Sequence, residues 1–293
     1  VATTRPETMF GDTAVAVNPK DPRWKHMVGK KVLLPFIDRA IPVIEDSYVE
    51  FEFGTGALKV TPAHDQNDWE IGQRHDLPVL KAIGTDGKLT AEAGSYAGLS
   101  REKARDQVVA DLEAQGFLRK KEDHKSPVAI CYRCGSLIEP LLSLQWFVKQ
   151  TELAKPALQA LDDGRFKIYP ENWAKPYHDW LVNIKDWCVS RQIWWGHRIP
   201  VWYKADEKPV VSLESPGAGW TQDPDVLDTW FSSALWPLAA FGWPQKTADF
   251  AYYYPTSTLV TGYEILYLWV ARMQMMGLAF EGKVPFADAV IHG

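Results

Sequence analysis

Residues 255–277 read PTSTLVTGYEILYLWVARMQMMG. Within this stretch Thr258–Val260 is short and apolar, and Gly262 separates it from the helix-like run Tyr263–Met276. The chain becomes apolar again at Ala289–Ile291. A strand, a helix and a second strand in this order form a βαβ unit, whose two strands lie parallel. The C-terminal end is therefore predicted to belong to an α/β domain with a parallel sheet.

The tryptophans divide the rest of the chain unevenly. There are 14 of them in 293 residues. Only Trp24 and Trp69 precede residue 145, and the others run from Trp146 to Trp269. A chain of this length is long enough for two domains. Two halves of such different composition suggest two units with different roles.

Composition also excludes several classes of protein. The net charge of −5 excludes a basic, charge-driven nucleic-acid coat, although local basic patches stay open. Three cysteines cannot build a disulfide framework, so we expect a reducing compartment, the cytoplasm. The apolar stretch 258–280 contains Glu264, Arg272 and Gln274, which argues against a membrane span and a membrane partner.

The first hundred residues carry short strand-like runs between Pro and Gly. A helix is predicted over Gln66–His75 with Asp65 as its N-cap. Ser100 is predicted to cap a second helix that ends at Gln115. Strands with two helices and no strand–helix alternation predict a small α+β or barrel-like module. The predicted strands are Ala14–Val17, Lys31–Leu34, Ala40–Ile44 and Ala57–Thr61.

The composition changes from Ser126 onwards. The stretch Ser126–Gln150 is predicted to be an extended connector. Beyond it, five apolar side chains share one face of a predicted helix. These are Trp173, Tyr177, Trp180, Leu181 and Ile184.

Residues 53–68 read FGTGALKVTPAHDQND and hold the densest cluster of polar groups. Lys59 and Thr61 are two residues apart on a strand and so share a face. Asp65 and Asp68 are three apart at a helix start, so they can share one side. A cation, a hydroxyl, the imidazole of His64 and two carboxylates thus converge. The alternative is structural, with Asp65 as a cap, Asp68 favoured by the helix dipole and Lys59 solvated.

A second candidate is the N-terminal stretch Thr3-Thr4-Arg5-Pro6. Hydroxyls and a guanidinium beside a rigid proline suit recognition of a polar or anionic ligand. The alternative is an ordinary proline turn.

The pair Cys131 and Cys134 is half of a zinc ribbon. Structural zinc takes four ligands. Cys188 stands alone, and His124 would supply only a third ligand. We therefore predict no metal site, two packed or idle thiols, and at most substoichiometric zinc in the purified protein.

Two aromatic-rich stretches lie in the second half. Residues 190–200 read SRQIWWGHRIP and residues 225–233 read DVLDTWFSS. Indole rings can wall an apolar pocket while a carboxylate holds an ammonium group, but tryptophans also pack in cores. Periodicity does not decide between a pocket and core packing.

Taken together, these stretches resemble the valyl-tRNA synthetase family of class I aminoacyl-tRNA synthetases. The resemblance extends over essentially the whole chain. It rests on ATTRPETMFGDTAVAVNP from residue 2, GTGALKVTPAHDQNDWEIG from residue 54, DWCVSRQIWWGHRIPVWY from residue 186, DVLDTWFSSALWP from residue 225, and the stretch at 255–277.

The resemblance implies a function for each half. Residues 1–125 would be an editing module that hydrolyses threonine wrongly attached to the valine tRNA. Residues 126–165 would be a connector, and residues 166–293 the C-terminal part of a Rossmann catalytic domain. The family's two ATP signatures, the His-Ile-Gly-His type motif and the Lys-Met-Ser-Lys-Ser loop, are absent from the sequence. We therefore expect a piece of a longer enzyme, in which ATP serves the full-length protein and this piece retains at most deacylation.

The resemblance also implies roles for individual residues. Asp68 would hold the α-ammonium group of the substrate, and Lys59 would support charge developing on the ester carbonyl or a ribose oxygen. A water molecule held by Thr61, Asp65 or the tRNA's free hydroxyl would attack, with His64 as a weaker candidate for a general base. The threonyl and adenosine pocket would include Phe53, Lys59, Thr61, Asp65 and His64, lined by Thr3, Thr4 and Arg5. Asp225, Trp230 and Trp195 would belong to the valine pocket.

The implied partners are tRNA(Val), with valine and threonine as amino-acid substrates, and we expect a monomer. Two alternatives stay open. One is a tRNA-binding fragment without turnover, and the other is an isoleucyl or leucyl relative.

Overall fold

The computed structural model describes residues 1–132 and 134–293. They form two compact units, Val1–Ser143 and Leu144–Gly293. Both units combine helices with sheets, and one sheet is wholly parallel, so the predicted mixed α/β class is confirmed. Among the described residues, no helix has both the length and the apolar character needed to cross a membrane.

The first unit is built on a four-stranded sheet. Its spatial order is β2-β3-β1-β4, with β1 parallel to β3 and the other pairs antiparallel. Val15 of the central strand pairs with Val43 on one side and with Lys59 on the other. The four predicted strands are confirmed to within a residue at each end. They are β1 (Ala14–Val17), β2 (Lys31–Leu33), β3 (Ala40–Glu45) and β4 (Ala57–Val60).

Two helices of the first unit begin at the predicted caps. They are α1 (Gln66–Arg74) and α2 (Arg101–Ala114). The Asp65 carboxylate accepts hydrogen bonds from the backbone N–H groups of Asn67 and Asp68, at 2.8 and 3.1 Å. Ser100 accepts one from the backbone of Lys103 at 3.4 Å. These bonds satisfy N–H groups that have no partner inside the helix.

Two apolar clusters hold this unit together. One joins the sheet to α1 through Ala14, Val60 and Ile71, all fully buried. The other packs Phe10 against Tyr96 and the buried Val108 of α2. A 3₁₀ helix at Pro6–Gly11 connects the two clusters and carries residues that reappear in the site below.

The second unit contains six helices and ten strands within the part of the chain that the structure describes. The helices are α3 (Gln150–Asp162), α4 (Ala174–Val182), α5 (Thr229–Ala234), α6 (Trp236–Ala239), α7 (Ala248–Tyr253) and α8 (Ala271–Glu281). The strands are β5 (Phe147–Val148), β6 (Lys167–Tyr169), β7 (Trp187–Cys188), β8 (Ser190–Arg191), β9 (Val201–Tyr203), β10 (Val210–Val211), β11 (Thr221–Gln222), β12 (Val226–Leu227), β13 (Thr256–Gly262) and β14 (Phe286–His292).

The predicted βαβ unit is confirmed. Strands β13 and β14 are parallel, with Val260 opposite Val290, and β6 adds a third parallel strand in the order β13-β14-β6. The connecting helix differs from the prediction at its start. A 3₁₀ turn at Tyr263–Ile265 and a π turn at Leu266–Val270 precede α8. These turns carry two tyrosines onto α4 and the turn before it, and Tyr267 stacks on Trp180 at 5.4 Å.

Residues 150–162 of the predicted connector form the helix α3. Ala154, Ala157 and Ala160 lie at helical spacing on one face of α3, and all three are buried. Because these side chains are small, α3 can pack closely against the core that it shares with α8. The predicted helix face at α4 is confirmed in the same core, where Tyr177 and Leu181 are buried. The boundary between the two compact units lies at Ser143 and Leu144.

Candidate functional site

The predicted polar cluster lies where β4 ends and α1 begins. Lys59 is on β4, Thr61 follows it, and Asp68 lies in the first turn of α1. The Asp68 Oδ2 atom accepts a hydrogen bond from the Thr61 backbone N–H at 2.8 Å. The strand end and the helix start are thereby joined through one carboxylate, which is only 6% exposed.

The ionisation of Asp68 is set by its burial. Burial raises its pKa to about 6, and the Thr61 N–H and the Lys59 charge oppose the rise only partly. The carboxylate is therefore ionised at neutral pH, although its charge is poorly solvated. Its Oδ1 atom makes no hydrogen bond within the described residues, so a donor from a ligand can still bind there.

Lys59 is buried, which excludes the interpretation that it is merely solvated. Its Nζ atom donates to Thr8 Oγ1 at 2.8 Å, to Asp12 Oδ1 at 3.3 Å, and to Thr61 Oγ1 in a short contact. A lysine ammonium has three N–H groups. All three are therefore directed at the chain itself in this state.

Asp12 and Thr8 are site residues that sequence reasoning missed. The Thr61 hydroxyl donates to Asp12 Oδ1 at 2.5 Å, so Lys59 and Thr61 share one carboxylate oxygen. Burial raises the pKa of Asp12, and it outweighs the opposing attraction of Lys59. A signal existed in the sequence, because Asp12 lies two residues before the predicted strand that begins at Ala14. Its approach to Lys59, however, depends on the pairing of β1 with β4.

His64 takes a structural position. Its Nε2 atom accepts hydrogen bonds from the backbone N–H groups of Ala82 and Ile83 at 2.9 and 3.2 Å. Nδ1 therefore carries the proton and donates it to the carbonyl of Pro140 at 3.3 Å. Burial also lowers the pKa of His64. A neutral ring with both nitrogens occupied has no free lone pair to take a proton from water, which favours packing over a general base.

The N-terminal candidates are partly engaged. The Arg5 guanidinium donates to the carbonyl of His64 at 3.1 Å and forms a short ion pair with Glu139. The Thr3 hydroxyl accepts a hydrogen bond from the Arg5 backbone at 3.0 Å. Thr3 and Thr4 are exposed. Arg5 thus joins the N-terminal stretch to the start of α1, while the two threonines face solvent.

A cavity of about 370 Å³ lies along the segment that leads into β4 and the first residues of that strand. It is lined by Ala2, Tyr48, Glu50, Phe53 and residues 54–58, and Phe53 is 73% exposed. Burial raises the pKa of Tyr48, and the charges of Asp65 and Asp68 raise it further. Tyr48 of the cavity wall is therefore close enough to sense the charges of the two carboxylates. The wall is otherwise largely apolar, and Glu50 is its one charged lining residue among those that the structure describes.

The residues predicted for the valine pocket do not form a cluster comparable to the one around Lys59 and Asp68. The Asp225 carboxylate accepts a hydrogen bond from Gln192 at 2.7 Å. Trp230 is half-buried and packs in a cluster with Trp187. Trp195 is 91% exposed, so its ring makes almost no contact with the rest of the unit.

A buried polar centre that was not predicted lies beside Trp230. The Asp228 carboxylate caps α5 and accepts hydrogen bonds from Trp187 Nε1 at 2.9 Å and Arg191 Nη2 at 2.7 Å. The Arg272 guanidinium lies over the Trp187 ring at 3.7 Å. Asp228 was visible in the sequence only as one acid among the aromatic residues at 225–233.

Cys131 and Cys134 lie in a short hairpin of the first unit, and both are free thiols. Hydrogen bonds with Ser136 lower the pKa of Cys134 to about 7. In residues 1–132 and 134–293, no group of three or more His, Cys, Asp and Glu side chains is placed to hold a metal ion. Cys188 lies in the second unit. The absence of bound zinc stays a prediction.

Comparison with known proteins identifies the family. The family model described as tRNA synthetases class I (I, L, M and V) matches residues 15–218 and 212–293. The chain belongs to the class I tRNA synthetases.

Individual relatives show which members of this family the chain resembles. The chain is 55% identical over its whole length to a valine–tRNA ligase of Geobacter sulfurreducens and 55% identical to one of Symbiobacterium thermophilum. It is 53% identical to a valine–tRNA ligase of Thermotoga maritima. It covers 34%, 33% and 35% of these proteins, so the chain spans about a third of the length of the curated relatives it matches. The resemblance inferred from the sequence motifs is confirmed.

Proposed function

We propose that the first unit is an editing deacylase that hydrolyses threonyl-tRNA(Val), within a protein that attaches valine to tRNA(Val) with ATP. The observation that carries this proposal is Asp68, a buried, ionised carboxylate with one oxygen fixed by the chain and the other without a hydrogen bond among the described residues. The identity of the relatives as valine–tRNA ligases supports the choice of tRNA and amino acids.

The need for hydrolysis follows from the shapes of the amino acids. Valine and threonine are nearly isosteric, and an apolar pocket cannot strongly reject an isostere that merely adds a hydroxyl. A second, polar pocket can accept the threonine hydroxyl, for which valine offers no equivalent. We assign this second pocket to the barrel-like module at residues 1–125, next to a connector at 126–165.

Asp68 would recognise the amino-acid end of the substrate. Its free Oδ1 would accept a charge-assisted hydrogen bond from the α-ammonium group. Pairing with a cation would also stabilise a carboxylate whose pKa burial has raised to about 6. The cavity beside Tyr48 and Phe53 would receive the rest of the aminoacylated end of the tRNA.

An aminoacyl ester is already activated, so hydrolysis depends mainly on placement. The oxygen of a water molecule would attack the ester carbonyl, the bond to the ribose oxygen would break, and a proton from the water would pass to that oxygen. The water would be held by Thr61, Asp65 or the tRNA's free hydroxyl. His64 is given no proton-transfer role here, because both its ring nitrogens are occupied.

Lys59 would support negative charge on the carbonyl or a ribose oxygen. Since its three N–H groups are directed at Thr8, Asp12 and Thr61, a substrate oxygen would have to displace one of these acceptors. The neutral Thr8 hydroxyl would give way more easily than the Asp12 carboxylate, which also compensates the ammonium charge.

The second unit would contribute part of the Rossmann domain that activates valine. Asp225, Trp230 and Trp195 are proposed for its amino-acid pocket. ATP would be a substrate of the ligase reaction, and no residue of this chain is assigned to it. We further propose a cytoplasmic monomer.

The decisive experiment measures release of threonine from mischarged threonyl-tRNA(Val) by the purified chain. The variant Asp68→Ala should lose most of this activity while its circular dichroism stays unchanged. The matched control is Glu70→Ala, which removes an exposed carboxylate from the same helix. Equal rates for Asp68→Ala and the unaltered chain would remove Asp68 from the mechanism.

The same assay separates the alternatives. A chain that binds the tRNA without releasing threonine would be a non-catalytic tRNA-binding fragment. A preference for aminoacyl-tRNA(Ile) or aminoacyl-tRNA(Leu) over threonyl-tRNA(Val) would indicate the isoleucyl or leucyl relative.

A further inference from the structure

The buried carboxylate of Asp12 lies behind the candidate editing site and has no assigned role. It is 3% exposed, and one oxygen, Oδ1, accepts hydrogen bonds from both Lys59 Nζ and the Thr61 hydroxyl. Because its oxygen is shared, moving or neutralising Asp12 changes the surroundings of two proposed site residues at once.

We infer that Asp12 is a positioning residue for hydrolysis: its carboxylate holds the Lys59 ammonium and the Thr61 hydroxyl in one arrangement without touching the substrate. This inference rests on the proposed editing function and deepens it. Asp12 lies just before β1, and β1 pairs with the strand that carries Lys59, so the sheet itself brings the two side chains together.

Hydrogen-bond counting shows what Asp12 determines. A hydroxyl has one proton to donate and two lone pairs. Thr61 gives its proton to Asp12 and accepts one from Lys59. The direction of the Thr61 hydroxyl is therefore set by Asp12, and one lone pair remains. Without the carboxylate, this hydroxyl can rotate, and Lys59 loses one of its three acceptors.

Charge compensation is the second part of the role. Lys59 is buried, and a buried ammonium without a partner carboxylate is disfavoured in its charged form. The charged groups that face Lys59 are Asp12 and Asp68, Arg39 acts on Asp12, and the neighbouring His64 is neutral. Asp12 is the only one of these that makes a salt bridge with Lys59 within the described residues.

Asp68 is held independently of this network. Its oxygen is bound by the backbone N–H of Thr61, which belongs to the main chain after β4 rather than to the side chain. Loss of the Asp12 charge should therefore leave the ammonium-binding carboxylate in place. A defect at Asp12 is expected in kcat, whereas a defect at Asp68 is expected in KM as well.

The test compares hydrolysis of threonyl-tRNA(Val) by the unaltered chain and by Asp12→Asn, which keeps the shape and removes the charge. The expected result is a kcat lower by on the order of 10²-fold with KM unchanged, because small misplacements of catalytic groups have effects of this size. Circular dichroism checks that Asp12→Asn is folded, since a merely structural role would lower activity through the folded fraction and leave kcat per folded molecule unchanged.

A matched control and a double variant complete the design. Asp46→Asn removes another buried, ion-paired carboxylate of the same unit, bound to Arg74 and His75, and should leave kcat unchanged. The losses of Lys59→Met and Asp12→Asn should be less than additive in Lys59→Met/Asp12→Asn, because Asp12 acts partly through Lys59. If Asp12→Asn alone does not fold, Lys59→Met is compared with the double variant, and a further loss of on the order of 10²-fold would overturn the inference.

Each outcome has a distinct meaning. Hydrolysis by the unaltered chain with a normal kcat in Asp12→Asn overturns this inference and leaves the proposed function intact. A loss in Asp12→Asn that is fully additive with that of Lys59→Met also overturns it. No hydrolysis by the unaltered chain overturns the proposed function, and the inference with it.

Discussion

Asp68 illustrates, at the residue scale, how a site can work against stability. Burial raises its pKa from 3.8, the value of a solvated aspartate, to about 6, so the protonated carboxyl is favoured in the fold. Its contribution to stability is therefore fully present below pH 3.8 and is lost as pH rises through about 6. The difference corresponds to about 3 kcal/mol as an upper bound. The proposed function requires the ionised form despite this penalty.

We predict that Asp68→Asn stabilises the first unit at pH 7 by about 1–3 kcal/mol, because it removes the poorly solvated charge. The gain should vanish near pH 4, and urea unfolding at both pH values measures it. The control is Asp65→Asn, which should be neutral because Asn and Asp cap helices equally well. A gain that is independent of pH would show that the charge is not its cause.

The site was predictable from the sequence as far as local spacing extends. Lys59, Thr61 and Asp68 converge as predicted, because a strand followed by a capped helix determines their directions. Asp12 was missed because it reaches Lys59 through strand pairing between distant segments. The environment of His64 was equally hidden, since its partners Ala82 and Pro140 lie 18 and 76 residues away.

At the element scale, short strand-like runs between Pro and Gly predicted the strands of the first unit, and capping residues predicted the starts of α1 and α2. The parallel pairing of β1 with β3 was not predicted, since a period-2 pattern gives the faces of a strand but not its neighbours. The sequence predicts a regular helix where the structure has a π turn at Leu266–Val270, because amino-acid composition does not distinguish a π turn from an α-helix. The helix α3 was missed inside the predicted connector.

The placement of Asp68 depends on how closely α1 approaches the loop that precedes it. A Cβ atom on Gly72 would lie 2.9 Å from Cγ of Pro62, a rigid side chain. We predict that Gly72→Ala destabilises the first unit by up to about 2 kcal/mol, since overpacking costs about 1–3 kcal/mol and the gain in helix propensity is about 1. Hydrolysis should fall as well, because the helix carrying Asp68 moves.

Thermal unfolding and threonine release measure both effects of Gly72→Ala. Gln73→Ala is the matched control, because Gln73 is exposed on the same helix and its substitution should have little effect. A Gly72→Ala protein that is more stable than the unaltered chain would show that Pro62 and α1 can move apart at little cost in free energy.

The whole molecule has a separate core in each unit. Ile71 lies in a cluster formed entirely by residues of the first unit, and Leu266 lies in one formed entirely by residues of the second. The tryptophans follow the same division, since only Trp24 and Trp69 precede residue 145. Their uneven distribution, first noticed as a sequence pattern, therefore makes tryptophan fluorescence a reporter of the second unit.

We predict that Ile71→Ala, which removes a fully buried side chain, destabilises the first unit by about 2–5 kcal/mol. In urea titrations the transition seen by tryptophan fluorescence should stay in place, while part of the circular dichroism signal is lost at lower urea. Leu266→Ala is the matched reciprocal variant and should move the fluorescence transition instead. Equal shifts of both signals in both variants would mean that the two units unfold as one cooperative body, since a local core defect can move a distant reporter only through cooperative unfolding.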